Sequence, residues 1–182
     1  MPSISVVMPV FNRQDRVAKA VDSVLAQDHA DFELVIVDDA STDRTVEVIQ
    51  GYRDPRIVLL QQPYNQHAAA ARNRGILAAR SELICFIDSD DEFLPLKLGF
   101  VVAYFRQHPD VDALIDSFEL VYPPDQRRRF GVRINPVLSD SEQILTGIYA
   151  RRISKATPAL TARRAALVKV GMFDASLPRR QD

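Results

Sequence analysis

Short apolar runs and helical repeats take turns along the first half of the chain. Residues 5–10 form a β-branched run that stops at Phe11-Asn12, and residues 14–27 then carry Val17, Ala20, Val21, Val24 and Leu25 at helical spacing. Residues 32–37 are the next apolar run, ended by Asp38-Asp39. Ser41 or Thr42 is placed to cap a helix carrying Val46, Val48 and Ile49. Residues 56–60 read as a third strand and the alanine-rich stretch 68–79 as a helix. Residues 82–87 are a fourth strand, apolar enough to be buried on both faces. This alternation predicts an α/β fold: an open, mostly parallel sheet flanked by helices, with right-handed crossovers, in a Rossmann-like three-layer α/β/α arrangement. Such sheets bind ligands beyond the carboxyl ends of their strands, where Phe11-Asn12, Asp38-Asp39 and Asp88-Ser89-Asp90 fall.

Beyond residue 94 the pattern loses its regularity. Residues 96–106 predict a helix, 113–121 a strand or pair of strands, Pro123-Pro124-Asp125 a turn and 140–145 a short helix. Residues 157–161 predict a strand leading into a helix over 164–170. With no internal repeat and no low-complexity linker, residues 1–182 are expected to form a single domain, its less regular part a substrate-specific lobe.

A chain of 182 residues can bury a sizeable core without disulfides or a structural metal. Its single cysteine, Cys85, lies in an apolar run; it predicts a buried thiol and excludes a disulfide framework or Cys-based zinc site, which suits the cytosol. The apolar runs are too short to span a bilayer, and the first residues lack the basic start and apolar core of a secretion signal. The formal net charge of −1 hides an asymmetry: residues 1–119 hold 11 Lys/Arg against 19 Asp/Glu, and residues 120–182 hold 12 against 5. The basic groups Arg127-Arg128-Arg129, Arg151-Arg152, Arg163-Arg164 and Arg179-Arg180 suit a solvated surface, or a face turned to an anionic acceptor or anionic lipid headgroups. No motif or aromatic-basic platform accompanies them, which disfavours nucleic acid as a partner. His29, His67 and His108 lack metal-ligand spacing and read as surface or loop residues.

The chemistry concentrates in Phe86-Ile87-Asp88-Ser89-Asp90-Asp91, where an apolar strand delivers three acids within four positions. Such acids repel one another unless a cation sits among them, and oxygen ligands suit Mg²⁺ or Mn²⁺. Two other readings exist: an acidic turn capping the next helix, and the Asp-x-Asp site of haloacid-dehalogenase-type phosphatases, which wants the motif on the first strand. Asp38-Asp39 is weak alone, since receiver domains also collect acids at strand ends.

In combination, several segments resemble glycosyltransferase family 2. They are Ser5 to Asn12 (SVVMPVFN), Gln27 to Asp39 ending in FELVIVDD, Ala71-Arg72-Asn73-Arg74-Gly75, Asp88-Ser89-Asp90, and Val170-Gly171-Met172-Phe173-Asp174, in the family's order along nearly the whole chain. The resemblance implies a GT-A-type nucleotide-diphospho-sugar transferase fold. It also implies a UDP-sugar or other NDP-sugar donor, a saccharide or lipid-linked acceptor, inversion at the anomeric carbon, and Mn²⁺ or Mg²⁺ as cofactor. Residues 1–94 would be the nucleotide-sugar-binding half and 95–182 the acceptor-side half, cut short at its C-terminus.

Pro9, Phe11 and Asn12 belong to the family's opening strand and loop. Phe11 would pack near the base, with core filling as the alternative. Asp39 would accept from the uracil imide N–H, with dTDP and GDP left open as donor nucleotides. Arg72 would lie near the base or phosphates, the alternative being a surface-helix arginine. Asp90 would be the main metal ligand. Asp88 would contact the ribose or donor sugar and share the ion, Ser89 would contact the donor, and Asp182 would be the general base. The activity implied is sugar transfer to an acceptor hydroxyl in cell-surface polysaccharide or glycolipid synthesis, in the cytoplasm and at the inner face of the membrane by peripheral association. A non-catalytic nucleotide-sugar-binding module and a flavodoxin-like signalling domain are the other classes. The second wants a lysine opposite its acids, and Lys19 is the only lysine in the first ninety residues.

Overall fold

The computed structural model describes residues 1–121, 130–154 and 156–177. The regular half runs β1 (Ile4–Val10), α1 (Val17–Leu25), β2 (Phe32–Asp38), α2 (Thr45–Gln50), β3 (Ile57–Gln61), α3 (His67–Ala78), β4 (Leu83–Phe86) and α4 (Lys97–Gln107). Then follow β5 (Ala113–Ile115), β6 (Phe118–Val121), β7 (Phe130–Arg133), α5 (Ser141–Tyr149), β8 (Leu160–Arg163) and α6 (Arg164–Lys169). One six-stranded sheet has the order β3-β2-β1-β4-β8-β5, and β6 and β7 form a separate antiparallel pair. The contacts β1–β2, β1–β4 and β2–β3 are parallel, whereas β8 runs antiparallel to both β4 and β5. Only β8 therefore opposes the common strand direction of this sheet. The order 3-2-1-4 around β1 differs from the 2-1-3-4 order of flavodoxin-like folds and overturns that alternative.

The period of two explains the layers. On β1, Ile4, Val6, Met8 and Val10 face one core, together with Phe32, Leu34 and Ile36 of β2, and with α1 and α4. On the opposite face, Val7, Ile84 and Phe86 meet Ile76 of α3 and Leu167 of α6, while Val35 and Val37 meet Ala71. Cys85 is fully buried, and Thr161 donates to its Sγ.

Three local expectations change. Neither Ser41 nor Thr42 caps α2: Ser41 Oγ accepts from the Asn12 N–H, and Asp43 Oδ1 takes the Thr45 N–H instead. Residues 157–161 do not form one strand; Thr157–Ala159 is a 3-10 turn, and β8 begins at Leu160. The pair Arg163-Arg164 is no free basic surface. Arg164 donates to the Ile76 and Leu77 carbonyls at the end of α3, and Arg163 to the Val111 and Pro109 carbonyls just past α4. Cations there also suit the negative C-terminal end of a helix. Pro123-Pro124-Asp125, Arg127-Arg128-Arg129 and Arg179-Arg180 lie outside the described residues. Among the described residues no helix is long and apolar enough to cross a membrane.

At the amino ends of the strands, Glu33 is 1% exposed and is paired with Arg80. Its carboxylate accepts from the Ser5 hydroxyl, the Arg80 N–H and the Arg80 guanidinium, each at 2.6 Å. Burial pushes this carboxyl up, but those three donors outweigh it and hold it below the ordinary 4.5. The stability it contributes is present above the unfolded-state value and is lost as pH falls through the lower folded-state value. Glu33→Gln should cost about 1.5–3 kcal/mol in urea unfolding at neutral pH and flatten the acid limb of the stability curve.

Candidate active site

Crossovers change direction between β1 and β4, and the sheet opens there into a cleft of about 360 Å³ at its carboxyl edge. Pro9, Val10 and Phe11 reach it from β1, Asp39 from β2, and Arg72 from α3; Asp88, Ser89 and Asp90 come from the loop after β4. Of the residues expected from sequence, Pro9, Phe11, Asp39, Arg72, Asp88, Ser89 and Asp90 thus share one cleft. Asn12 lines an adjoining hollow, and its side chain accepts from the Thr42 N–H. Asp182 lies outside the described residues. The bends feeding the cleft use left-handed backbone at non-glycine positions: Asn12 (φ 51°), Ala40 (φ 62°) and His67 (φ 67°). Such conformations persist only where the surroundings enforce them.

Phe11 is 41% exposed, so it does not fill the core and offers its ring to the cleft. Asp39 is 3% exposed, and its Oδ1 accepts from Gln62 Nε2 and from the Gln66 N–H, both at 2.7 Å. With both of these bonds on Oδ1, Oδ2 is the oxygen left to accept from a ligand. Neither Gln62 nor Gln66 was legible as a site residue. They act through Asp39 by fixing its rotamer.

Arg72 is buried, not a surface-helix arginine, and its Nη2 donates to Asp88 Oδ1 at 2.8 Å. The helix that carries it lies close on the sheet because of Gly75: a Cβ there would fall 2.4 Å from Val7 Cγ1. The late Gly-Met-Phe-Asp turn packs against the same helix. Asn73 and the Phe173 backbone exchange two hydrogen bonds at 2.8 and 2.9 Å, placing the Phe173 ring 5.4 Å from the Arg72 guanidinium carbon. Phe173 also meets Phe86 edge-on at 5.3 Å. A motif some hundred residues downstream thereby orients the partner of Asp88.

The acids after β4 keep unequal company. Among the described residues, Asp88 has Arg72, whereas Asp90 has only distant contacts with Arg13 and Arg16. Desolvation, then repulsion from Asp88 and Asp90, push the Asp91 carboxyl up to about 6, although its side chain remains in contact with solvent. Among the described residues no group of three or more His, Cys, Asp or Glu side chains is placed to hold an ion by itself. One or two carboxylates facing a cleft suit Mg²⁺ or Mn²⁺ completed by substrate phosphates, rather than an all-protein cage. The acid cluster and its crowding fit that use.

The sequence profile described as Glycosyl transferase family 2 matches residues 5–167. A relative from Escherichia coli, UDP-Glc:alpha-D-GlcNAc-diphosphoundecaprenol beta-1,3-glucosyltransferase WfgD, is 31% identical over 118 residues, covering 65% of this chain and 46% of that protein. Three further curated relatives are matched over 37% to 39% of their lengths, so the chain spans well under two thirds of such proteins. The crystal structure of S. aureus TarS 1-349 superposes with a TM-score of 0.78 at 25% identity, over 98% of this chain and 52% of that one. The same protein has been solved in complex with UDP-GlcNAc. The mannosyltransferase PcManGT from Pyrobaculum calidifontis, in complex with GDP-Man and Mn²⁺, shares the fold with a TM-score of 0.70 at 20% identity, over 97% of this chain and 49% of that one.

Proposed function

The chain belongs to glycosyl transferase family 2, and from that premise we propose that its cleft binds a UDP-sugar with Mn²⁺ or Mg²⁺ and passes the sugar, with inversion, to an acceptor hydroxyl. The observation that carries this reading is the meeting of Asp39, Arg72, Asp88 and Asp90, supplied by three different parts of the chain, in one cleft at the strand-order switch. Residues 1–94 would serve the donor and 95–182 the acceptor side.

The geometry supports a role for each described residue, and the family resemblance carries the one proposed for Asp182. Asp39, its Oδ1 already occupied, has one oxygen for an imide N–H, the group that uracil presents and adenine lacks. Phe11 offers a ring face near that position. Arg72 supplies positive charge deep in the cleft while holding Asp88. Asp90, with Asp88, would hold the ion, whose chemistry is to neutralise charge on the leaving diphosphate. Asp182 would take the proton from the attacking hydroxyl, and a single displacement needs no second carboxylate as nucleophile. A lipid-linked saccharide is the acceptor class favoured, since the Escherichia coli relative's name specifies a diphosphoundecaprenol acceptor. Peripheral contact with the inner membrane face would follow from such a substrate.

A thermal-shift panel of nucleoside diphosphates in Mn²⁺ tests the donor assignment, because a ligand that binds only the folded state raises its melting temperature. UDP should give the largest rise and dTDP, with the same imide, the nearest to it. No shift with any nucleotide, or a larger one with ADP, counts against the reading.

A further inference from the structure

Two arginines stand where a cation belongs. Asp90 Oδ2 lies 3.6 Å from Arg13 Nε and 3.9 Å from Arg16 Nη1. Arg13 lines the cleft beside Phe11 and Asp39, and it also lines the adjoining hollow of about 380 Å³ with Arg16. It therefore forms the wall between the two spaces.

The backbone carrying Arg13 is pinned. The Arg13 N–H donates to Thr45 Oγ1 at 2.7 Å, the Asn12 N–H to Ser41 Oγ at 3.0 Å, and the Gln14 N–H to Asp43 Oδ2 at 3.2 Å. Its side chain is held less firmly: Arg13, 43% exposed, donates from Nη1 to the Asn12 and Phe11 carbonyls of its own loop at 3.2 and 3.4 Å, Arg16 is 67% exposed, and neither contact with Asp90 is short enough for a hydrogen bond. Asp88, two residues away, has the opposite arrangement, with a 5% exposed Arg72 side chain at 2.8 Å. One acid is clamped, and the other is only shielded.

We infer that Arg13 and Arg16 are a displaceable counter-ion for Asp90, which a divalent cation must push aside, and that Arg13, once released, turns to the diphosphate of the donor in the same cleft. The inference rests on the metal-dependent donor binding proposed above. Half-exposed ion pairs are weak enough to break when a doubly charged ion arrives, yet they raise the ion concentration needed. A freed guanidinium regains a partner when phosphates are present, and its planar fork suits phosphate oxygens. The ion by itself therefore binds weakly, and ion and nucleoside diphosphate strengthen each other reciprocally.

Electron paramagnetic resonance of free Mn²⁺ tests this directly, by titrating the native protein, Arg13→Met/Arg16→Met and Arg13→Lys with and without UDP. Without UDP the double variant should bind Mn²⁺ about two- to five-fold tighter than the native protein. The strengthening of Mn²⁺ binding by UDP should shrink about ten-fold in the double variant, and Arg13→Lys should keep most of it. Arg16→Met, the substitution of the more exposed side chain, gives the same first readout should the double variant fail to fold. Unchanged or weaker Mn²⁺ binding without UDP, or unchanged coupling to UDP, overturns the inference. If the variants match a native protein that does take up Mn²⁺, this inference fails and the metal-dependent reading stands. If the native protein takes up no Mn²⁺ even with UDP, the metal-dependent reading fails and this inference with it.

Discussion

Asp182→Asn should lower turnover by about 10²–10⁴ while leaving UDP affinity nearly unchanged, because a positioned general base is worth about that much in rate. The amide keeps the size of the carboxylate but replaces one acceptor oxygen with an NH2 donor, and it cannot accept the hydroxyl proton. The proposed donor contacts fall on other residues that line one cleft, Asp39, Arg72, Asp88 and Asp90, so binding and chemistry should separate cleanly. Single-turnover measurement with the UDP-sugar and acceptor that the native protein uses, beside calorimetry with UDP, reads the two quantities apart. Near-native turnover of the variant moves the base to another residue.

Asp39→Ala should act on the other side of that division. Its carboxylate is 3% exposed, and Gln62 and the Gln66 N–H fix it from behind. Losing a charged acceptor opposite a ligand N–H typically costs about 1.5–3 kcal/mol, a ten- to hundred-fold weakening of UDP. Calorimetry should show this loss for UDP and dTDP alike, with ADP unaffected. Equal losses for all nucleotides would mean that Asp39 supports the loop rather than reads the base.

The residues that line this candidate site were largely legible in the sequence, for a physical reason. Parallel strands buried on both faces are near-continuous apolar runs, so their ends announce themselves where polar residues begin, as at Asp38-Asp39 and Asp88-Ser89-Asp90. Those ends share one edge by topology, and ligands bind there. What was illegible depends on pairing across distance. Gln62 and Gln66 matter only because β3 and α3 lie beside Asp39. Arg163 and Arg164 read as surface charge, and only the packing of β8 and α6 carries Arg164 to the end of α3, 88 residues away in sequence. The antiparallel course of β8 has no local signal, since a four-residue strand takes its direction from the partner it meets. Arg13 is a loop residue in the sequence, and its place beside Asp90 exists only once the loops after β1 and β2 are tied together.

By the reading proposed above, this cleft should bind a UDP-sugar through a divalent ion held at Asp90. Calorimetric titration of UDP in Mn²⁺ and in EDTA, on the native protein and on Asp90→Asn, tests it most directly. Mn²⁺ should strengthen UDP binding about ten-fold or more in the native protein, the effect of one charge-assisted contact or more, and this gain should be lost in Asp90→Asn. Equal UDP affinity in Mn²⁺ and in EDTA for the native protein would contradict it.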